Sequence, residues 1–347
     1  MRINKDIGWW IRYDVVVINY RPDVSARLGI DYETLSAIKP DLVYMDSTAF
    51  GREGEWGSRP GYDIVVQAAS GITSMVGKVD ESGTPLVPPA HADTTTAYAI
   101  CAGVLAGLFY KERTGKGQKV ETSLLINALT MAMSQFDDIP AGNGEQRAVL
   151  LAALENARAK GTPYADFLKE RDALLGRSAG GNVYYRCFLT KDGALAIGAL
   201  SASLRAKVRA TLGFEHNRDE PTYNAADPEQ MRVDQEVRNK VEALFLTKTN
   251  AEWEQILTDG GVPVAPILFT QELIDHPVVQ ANRCVVELEH ELVGPLRMQA
   301  PPWKMSVSNP TPQGPPPVLG KHNEDILTSL GYTAEQIAEM RSAGAIL

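Results

Sequence analysis

The sequence predicts an α/β protein, with a parallel sheet in its first domain and a smaller α+β domain after it, and three features predict this. Two short apolar runs, Asp14 to Ile18 and Asp41 to Ser47, read as strands buried on both faces of a parallel sheet, with a helical segment between them. A long apolar helix is expected from Asp93 onward. The second half opens on a hairpin, Tyr184 to Gly198, whose turn contains Asp192-Gly193.

In the first run the β-branched residues Val15 to Ile18 are ended by Asn19. Residues 23–28 and 31–38 then show helical spacing, with Asp23 and Asp31 as capping oxygens and Lys39-Pro40 as a stop. Strand, helix and strand make one βαβ unit with a right-handed crossover. Ligands of an open parallel sheet sit at the carboxyl ends of its strands, which places Asn19, Tyr20, Arg21 and the loop Ser47 to Gly54 near any site. Gly51, Gly54 and Gly57 form no GxGxxG, and Gly115-Lys116-Gly117 follows a helix rather than a strand, so neither dinucleotide nor P-loop binding is indicated.

Pro88 and Pro89 forbid a helix over the next lead-in, whereas Asp93 and the three threonines after it offer oxygens to the orphan N–H groups of a first turn. The helix is therefore expected to begin at Asp93, with that residue as its cap. Ala97, Ile100, Cys101, Val104, Leu105 and Leu108 follow at the spacing of one apolar face, and Lys111 to Arg113 with Gly115 close the segment. This predicts a buried helix of about five turns. The run Ala97 to Tyr110 is too short for a bilayer, so no membrane span is expected. A second apolar segment covers 128–136, and 142–176 has a solvated helical composition broken at Ser178 to Asn182. Helices are expected at 203–212, 227–245 and 251–259. Pro315 to Pro317 form a stiff connector, and Thr333-Ala334-Glu335-Gln336 is a capping box before a final helix.

The 347 residues are 44% hydrophobic and 22% charged, an ordinary globular mixture long enough for two cores. A net charge of −9 argues against a nucleic-acid surface, so an anionic ligand would need a local basic cluster. Cys101, Cys187 and Cys284 form no CxxC pair and the five histidines no HExxH, so neither a disulfide framework nor a metal site is expected. With no secretory pattern over Met1 to Asp6, a cytoplasmic location fits.

Arg59-Pro60-Gly61-Tyr62-Asp63-Ile64-Val65-Val66-Gln67, then Asp93, then Glu112-Arg113-Thr114-Gly115-Lys116-Gly117-Gln118 resemble the signature of the class III CoA-transferase family. That family includes formyl-CoA and carnitine CoA-transferases and the related 2-methylacyl-CoA racemases. Ile18 to Pro22, Gly260 to Ile267 and Asp275 to Val279 are similar to further landmarks, so the likeness runs from about Asp14 to Ala345.

The resemblance implies a Rossmann-like large domain, an interlocked homodimer, and acyl-CoA and carboxylic acid substrates, with CoA itself carried as a thioester and no metal. It makes Asp93 the nucleophile. CoA would be held by Asn19, Tyr20, Arg21, Arg27, Arg59 and Tyr62, and Ala179, Gly180 and Gly181 would form a reduced lid. The implied layout is a CoA-binding domain over 1–140, a linker over 141–182, a small α+β domain over 183–285, a return linker over 286–318, and helices over 319–347 returning to the first domain. Only thirteen residues precede Asp14, where the family carries at least one more βα unit, so the resemblance also implies a chain shortened at its N-terminus. The racemases carry a histidine at the position of Tyr62. A phenol with a pKa of about 10 is a poor base at neutral pH, which favours transfer over racemisation. An inactive paralogue that only binds a partner is the third reading.

Overall fold

The structure is a computed structural model and describes residues 12–175, 182–225 and 227–347. The chain divides into two compact units, Met1–Ser178 and Ala179–Leu347.

The first unit carries the predicted βαβ element. Strand β1 (Val15–Ile18) leads through helices α1 (Pro22–Leu28) and α2 (Tyr32–Ile38) to β2 (Val43–Thr48). Gly29 ends α1 in the left-handed region at φ 71°, which separates the two helical stretches expected at 23–28 and 31–38. Asp31 then caps α2, accepting the Thr34 N–H at 2.9 Å. β1 and β2 run parallel with Val15 beside Val43 and Ile18 beside Asp46. Val16, Ile18 and Tyr44 pack with Ile30, Leu35 and Leu42 into a core on one side of the sheet.

The remaining elements of this unit are α3 (Asp63–Ala69), α4 (Ile72–Val76), α5 (His91–Thr114), β3 (Gln118–Ser123), α6 (Leu124–Ala132), α7 (Gly144–Lys160) and α8 (Tyr164–Leu174). β3 joins β2 in parallel, giving a three-stranded sheet in the order β1-β2-β3. Its residues Gln-Lys-Val-Glu-Thr-Ser show no strong apolar alternation, because an edge strand is only partly buried. Helices α7 and α8 lie within the stretch read from sequence as linker.

Helix α5 departs from expectation in two ways. It starts at His91 with Ala90 as the cap residue, so Asp93 is the third helical residue and its side chain caps nothing. Its buried side is Ala92, Thr96 and Gly107, whereas Leu105 is 59% and Phe109 66% exposed. Nearly every side of this helix is apolar, so spacing alone could not pick the packed face. Small residues decide it: a Cβ on Gly107 would lie 2.6 Å from Val43 Cγ1, and one on Gly103 3.1 Å from Val120 Cγ1, so the helix backbone rests closely on β2 and β3. At 24 residues α5 is longer than the apolar run Ala97 to Tyr110, and by length and composition alone it could cross a membrane. The base of the unit is tied by Lys111, whose Nζ lies 2.5 Å from Asp14 Oδ1 and 2.7 Å from Asp41 Oδ2. Hydrogen bonds from Lys111 and Lys39 hold the Asp41 carboxyl down at about 2.

The second unit begins with the predicted hairpin, β4 (Tyr185–Leu189) and β5 (Ala194–Gly198), and β6 (Val264–Pro266) adds an antiparallel third strand beside β5. Helices α9 (Ala202–Leu212), α10 (Pro228–Phe245) and α11 (Asn250–Asp259) fall within one residue of their predicted bounds. They build a core with Phe188 stacked on Phe245 at 4.3 Å, and Trp253 Nε1 donates to the Phe245 carbonyl at 2.8 Å. Helix α12 (Pro277–Ala281), the hairpin β7 (Val285–His290) and β8 (Gly294–Gln299), and helices α13 (Asn323–Ser329) and α14 (Ala334–Ser342) complete the unit. The Thr333–Gln336 capping box is present in both directions.

Candidate active site

The carboxyl ends of β1 and β2 and the loop that leads into α3 converge on one concavity. Asn19, Tyr20 and Arg21 after β1, Thr48 to Phe50 after β2, and Gly57, Arg59 and Gly61 line a cavity of about 70 Å³. Gly61 has to be glycine there, because a Cβ would meet Ala49 Cβ at 2.6 Å and the Phe50 ring at 3.0 Å. Arg59 lies over the Trp56 ring at 5.0 Å and pairs with Glu55 at 2.8 Å, while Arg21 pairs with Asp23 at 3.2 Å. All four of these charged groups are exposed, so the pairs are weak. Behind them Asp46, 1% exposed, is held by Arg52 Nη2 at 2.5 Å, which steadies the end of β2.

The same helix α3 connects this cavity to Asp93. Two residues past Gly61, Asp63 Oδ1 accepts the backbone N–H of Asp93 at 2.9 Å. The orphan donor in the first turn of α5 is thus capped by a residue thirty positions earlier. The other oxygen of Asp63 accepts from Gln67 Nε2, and the same nitrogen donates to the Pro89 carbonyl at 3.0 Å. Gln67 is fully buried, and its Oε1 has no hydrogen-bond partner among the described residues. Both neighbours of the amide nitrogen are acceptors, so the amide cannot turn over without setting oxygen against oxygen.

The Asp93 carboxylate itself is exposed and has no hydrogen-bond or ion-pair partner among the described residues. Local desolvation, and after it the like charge of Asp63, push its pKa above the ordinary aspartate value. An unpartnered carboxylate made slightly more basic is chemically suited to attack a carbonyl carbon.

Of the residues expected from sequence, Asn19, Tyr20, Arg21 and Arg59 come together in the cavity. Tyr62, 81% exposed, precedes Asp63 at the start of α3 and makes no capping bond. Arg27 is exposed in the last turn of α1 and takes no part in the cavity lining. Ala179, Gly180 and Gly181 lie outside the described residues. Among the described residues no group of three or more His, Cys, Asp or Glu side chains is placed to hold a metal ion. Asp63 and Gln67 both lie in the motif quoted above, and their four-residue spacing, on one side of a helix, is the sequence signal that pairs them.

A profile of CoA-transferase family III matches residues 12–323. The chain is similar to human succinyl-CoA:glutarate CoA-transferase, at 29% identity over 96% of this chain and 70% of the relative. It is also similar to formyl-CoA:oxalate CoA-transferase of Rhodopseudomonas palustris, at 28% identity over 96% of this chain and 76% of the relative. Among solved structures, Rv3272 from Mycobacterium tuberculosis superposes with a TM-score of 0.69 at 22% identity, covering 92% of this chain and 78% of that one. A CAIB/BAIF family protein from Brucella suis gives 0.65 at 22% identity, covering 93% and 77%. With the family profile spanning most of its length, the chain belongs to CoA-transferase family III.

Proposed function

We propose that the protein moves CoA between two carboxylic acids through a covalent intermediate on Asp93. The observation that carries this reading is the exposed Asp93 carboxylate, without a partner among the described residues, on a backbone held by Asp63 two residues past the cavity-lining Gly61. Asp93 attacks the thioester carbonyl, the C–S bond breaks, and CoA leaves as the thiolate, giving a mixed anhydride. The thiolate then attacks the aspartyl carbonyl and releases the first acid as its carboxylate, leaving Asp93 as a CoA thioester. The acceptor carboxylate attacks that thioester and expels the thiolate. Attack of the thiolate on the acceptor's acyl carbonyl then yields the new acyl-CoA and restores Asp93.

Arg21 and Arg59 are the cations this reading assigns to the CoA phosphates, and the cavity they line is large enough for only part of that molecule. Asp63 and Gln67 position the nucleophile without touching substrate. Because relatives are named for glutarate and oxalate, dicarboxylates are the first acceptors to assay.

Incubation with succinyl-CoA and hydroxylamine is expected to convert Asp93 to its hydroxamate, read as a mass shift on the peptide carrying it. A hydroxamate on a different residue, with Asp93 unmodified, would overturn the assignment. A second expectation concerns Asp63→Asn, which removes the negative charge and keeps one accepting oxygen for the Asp93 N–H while losing the one that accepts from Gln67. The charge of Asp63 raises the Asp93 pKa, so its removal lets Asp93 ionise at lower pH. The acid limb of the kcat/KM profile should move downward in pH. An unchanged or upward-moving limb would show that Asp63 exerts no such influence.

A further inference from the structure

A second concavity lies in the first unit, bounded by the ends of α3, α4 and α6 and by α7 and α8. Its volume is about 620 Å³, within the range of small-molecule sites. Its lining includes neither Asp93 nor any of the residues assigned above to CoA. The walls are largely apolar, with Met75, Phe136, Ile139, Leu150 and Leu151 among them.

The charge of the lining is one-sided. In a chain with 43 acidic and 34 basic residues, no Asp or Glu among the described residues lines this cavity, while Arg147 and Arg171 do. They are not equivalent. Arg171 is committed, its guanidinium paired with Asp172 at 2.7 Å and also donating to the Ser74 carbonyl. Arg147, in the first turn of α7, has no side-chain hydrogen bond or ion pair among the described residues. An uncommitted guanidinium beside an apolar wall matches an anionic head joined to an apolar body, and its planar fork matches a carboxylate in particular.

We propose that this cavity binds a free carboxylic acid of medium chain length, its carboxylate on Arg147 and its chain along Met75, Phe136 and Leu150, at a site separate from Asp93. No bond is made or broken there.

Titration calorimetry with octanoate tests it, alongside octanol and octylammonium as chains of equal length with a neutral and a cationic head. Octanoate should bind and octylammonium should not. Arg147→Gln should weaken octanoate about tenfold or more, and Leu150→Trp, which fills the cavity but leaves the charge, should weaken it as well. Asp93→Asn should bind octanoate as the parent protein does, and saturating CoA should not displace it. Equal binding of octanoate and octylammonium would overturn the proposal. So would parent-like affinity in both cavity variants with their folds intact by circular dichroism, or loss of octanoate on adding CoA, which would place the acid at the Asp93 site. Because Asp93→Asn is inactive under the transferase reading, binding to it separates failure of this site from failure of that reading.

Discussion

Under the proposed covalent mechanism, Asp93→Asn is expected to lower the rate of CoA transfer by about a thousandfold or more, because a carboxamide cannot form the aspartyl anhydride on which that mechanism depends. The fold should survive. The Asp93 side chain caps nothing, and its hydrogen bond to Asp63 is made by the backbone, which asparagine retains. Loss of one anion near a helix N-terminus costs roughly 0.3 to 1 kcal/mol, too little to unfold a domain of this size. A steady-state assay with succinyl-CoA and glutarate, paired with a thermal melt, checks both halves. Asp93→Ala serves as a second variant that cannot revert to aspartate by deamidation. If both variants kept more than about a tenth of the parent rate, covalent catalysis by this residue would be untenable.

The second large effect is structural. Gly117→Ala is expected to destabilise the first unit by about 3 kcal/mol or more. At this point the chain enters β3 pressed against the start of β2: the Gly117 N–H donates to the Pro40 carbonyl at 3.2 Å, and that of Gln118 to the Leu42 carbonyl at 3.0 Å. A Cβ on Gly117 would fall 2.1 Å from the Leu42 oxygen and 2.4 Å from the Asp41 carbonyl carbon. Those are backbone atoms just before β2, so no side chain can swing aside to make room. Gly115→Ala is the control. That residue has φ 70° with nothing within 4 Å of a Cβ, so only the left-handed conformation is disfavoured, at about 1 kcal/mol. Denaturant unfolding of the two variants should rank them in that order. A smaller loss for Gly117→Ala than for Gly115→Ala would mean that β2 and β3 are not in the contact described.

How much of this was legible in the chain depended on how local the signal was. The βαβ unit, the hairpin at Asp192-Gly193, helices α9 to α11 and the final capping box were readable because each is specified by residues a few positions apart. β3 was not. Its six residues are mostly polar, and they become a strand because β2 offers them a parallel edge. The start of α5 was misplaced for a related reason. Sequence can show that Asp93 is able to cap a helix, but not that Asp63 has already satisfied the Asp93 N–H from another helix.

The sequence by itself determined that this is an α/β protein of the CoA-transferase kind and singled out Asp93 as the candidate nucleophile, because strand runs, helix stops and a linear motif are written in neighbouring residues. Tertiary structure alone decided which side of α5 is buried, that Asp63 and Gln67 hold Asp93 in place, and that Arg59 joins Asn19, Tyr20 and Arg21 while Arg27 stays apart. The physical reason is distance along the chain. A capping bond across thirty residues, or a glycine packed beneath a valine of another strand, depends on positions that only the completed fold sets.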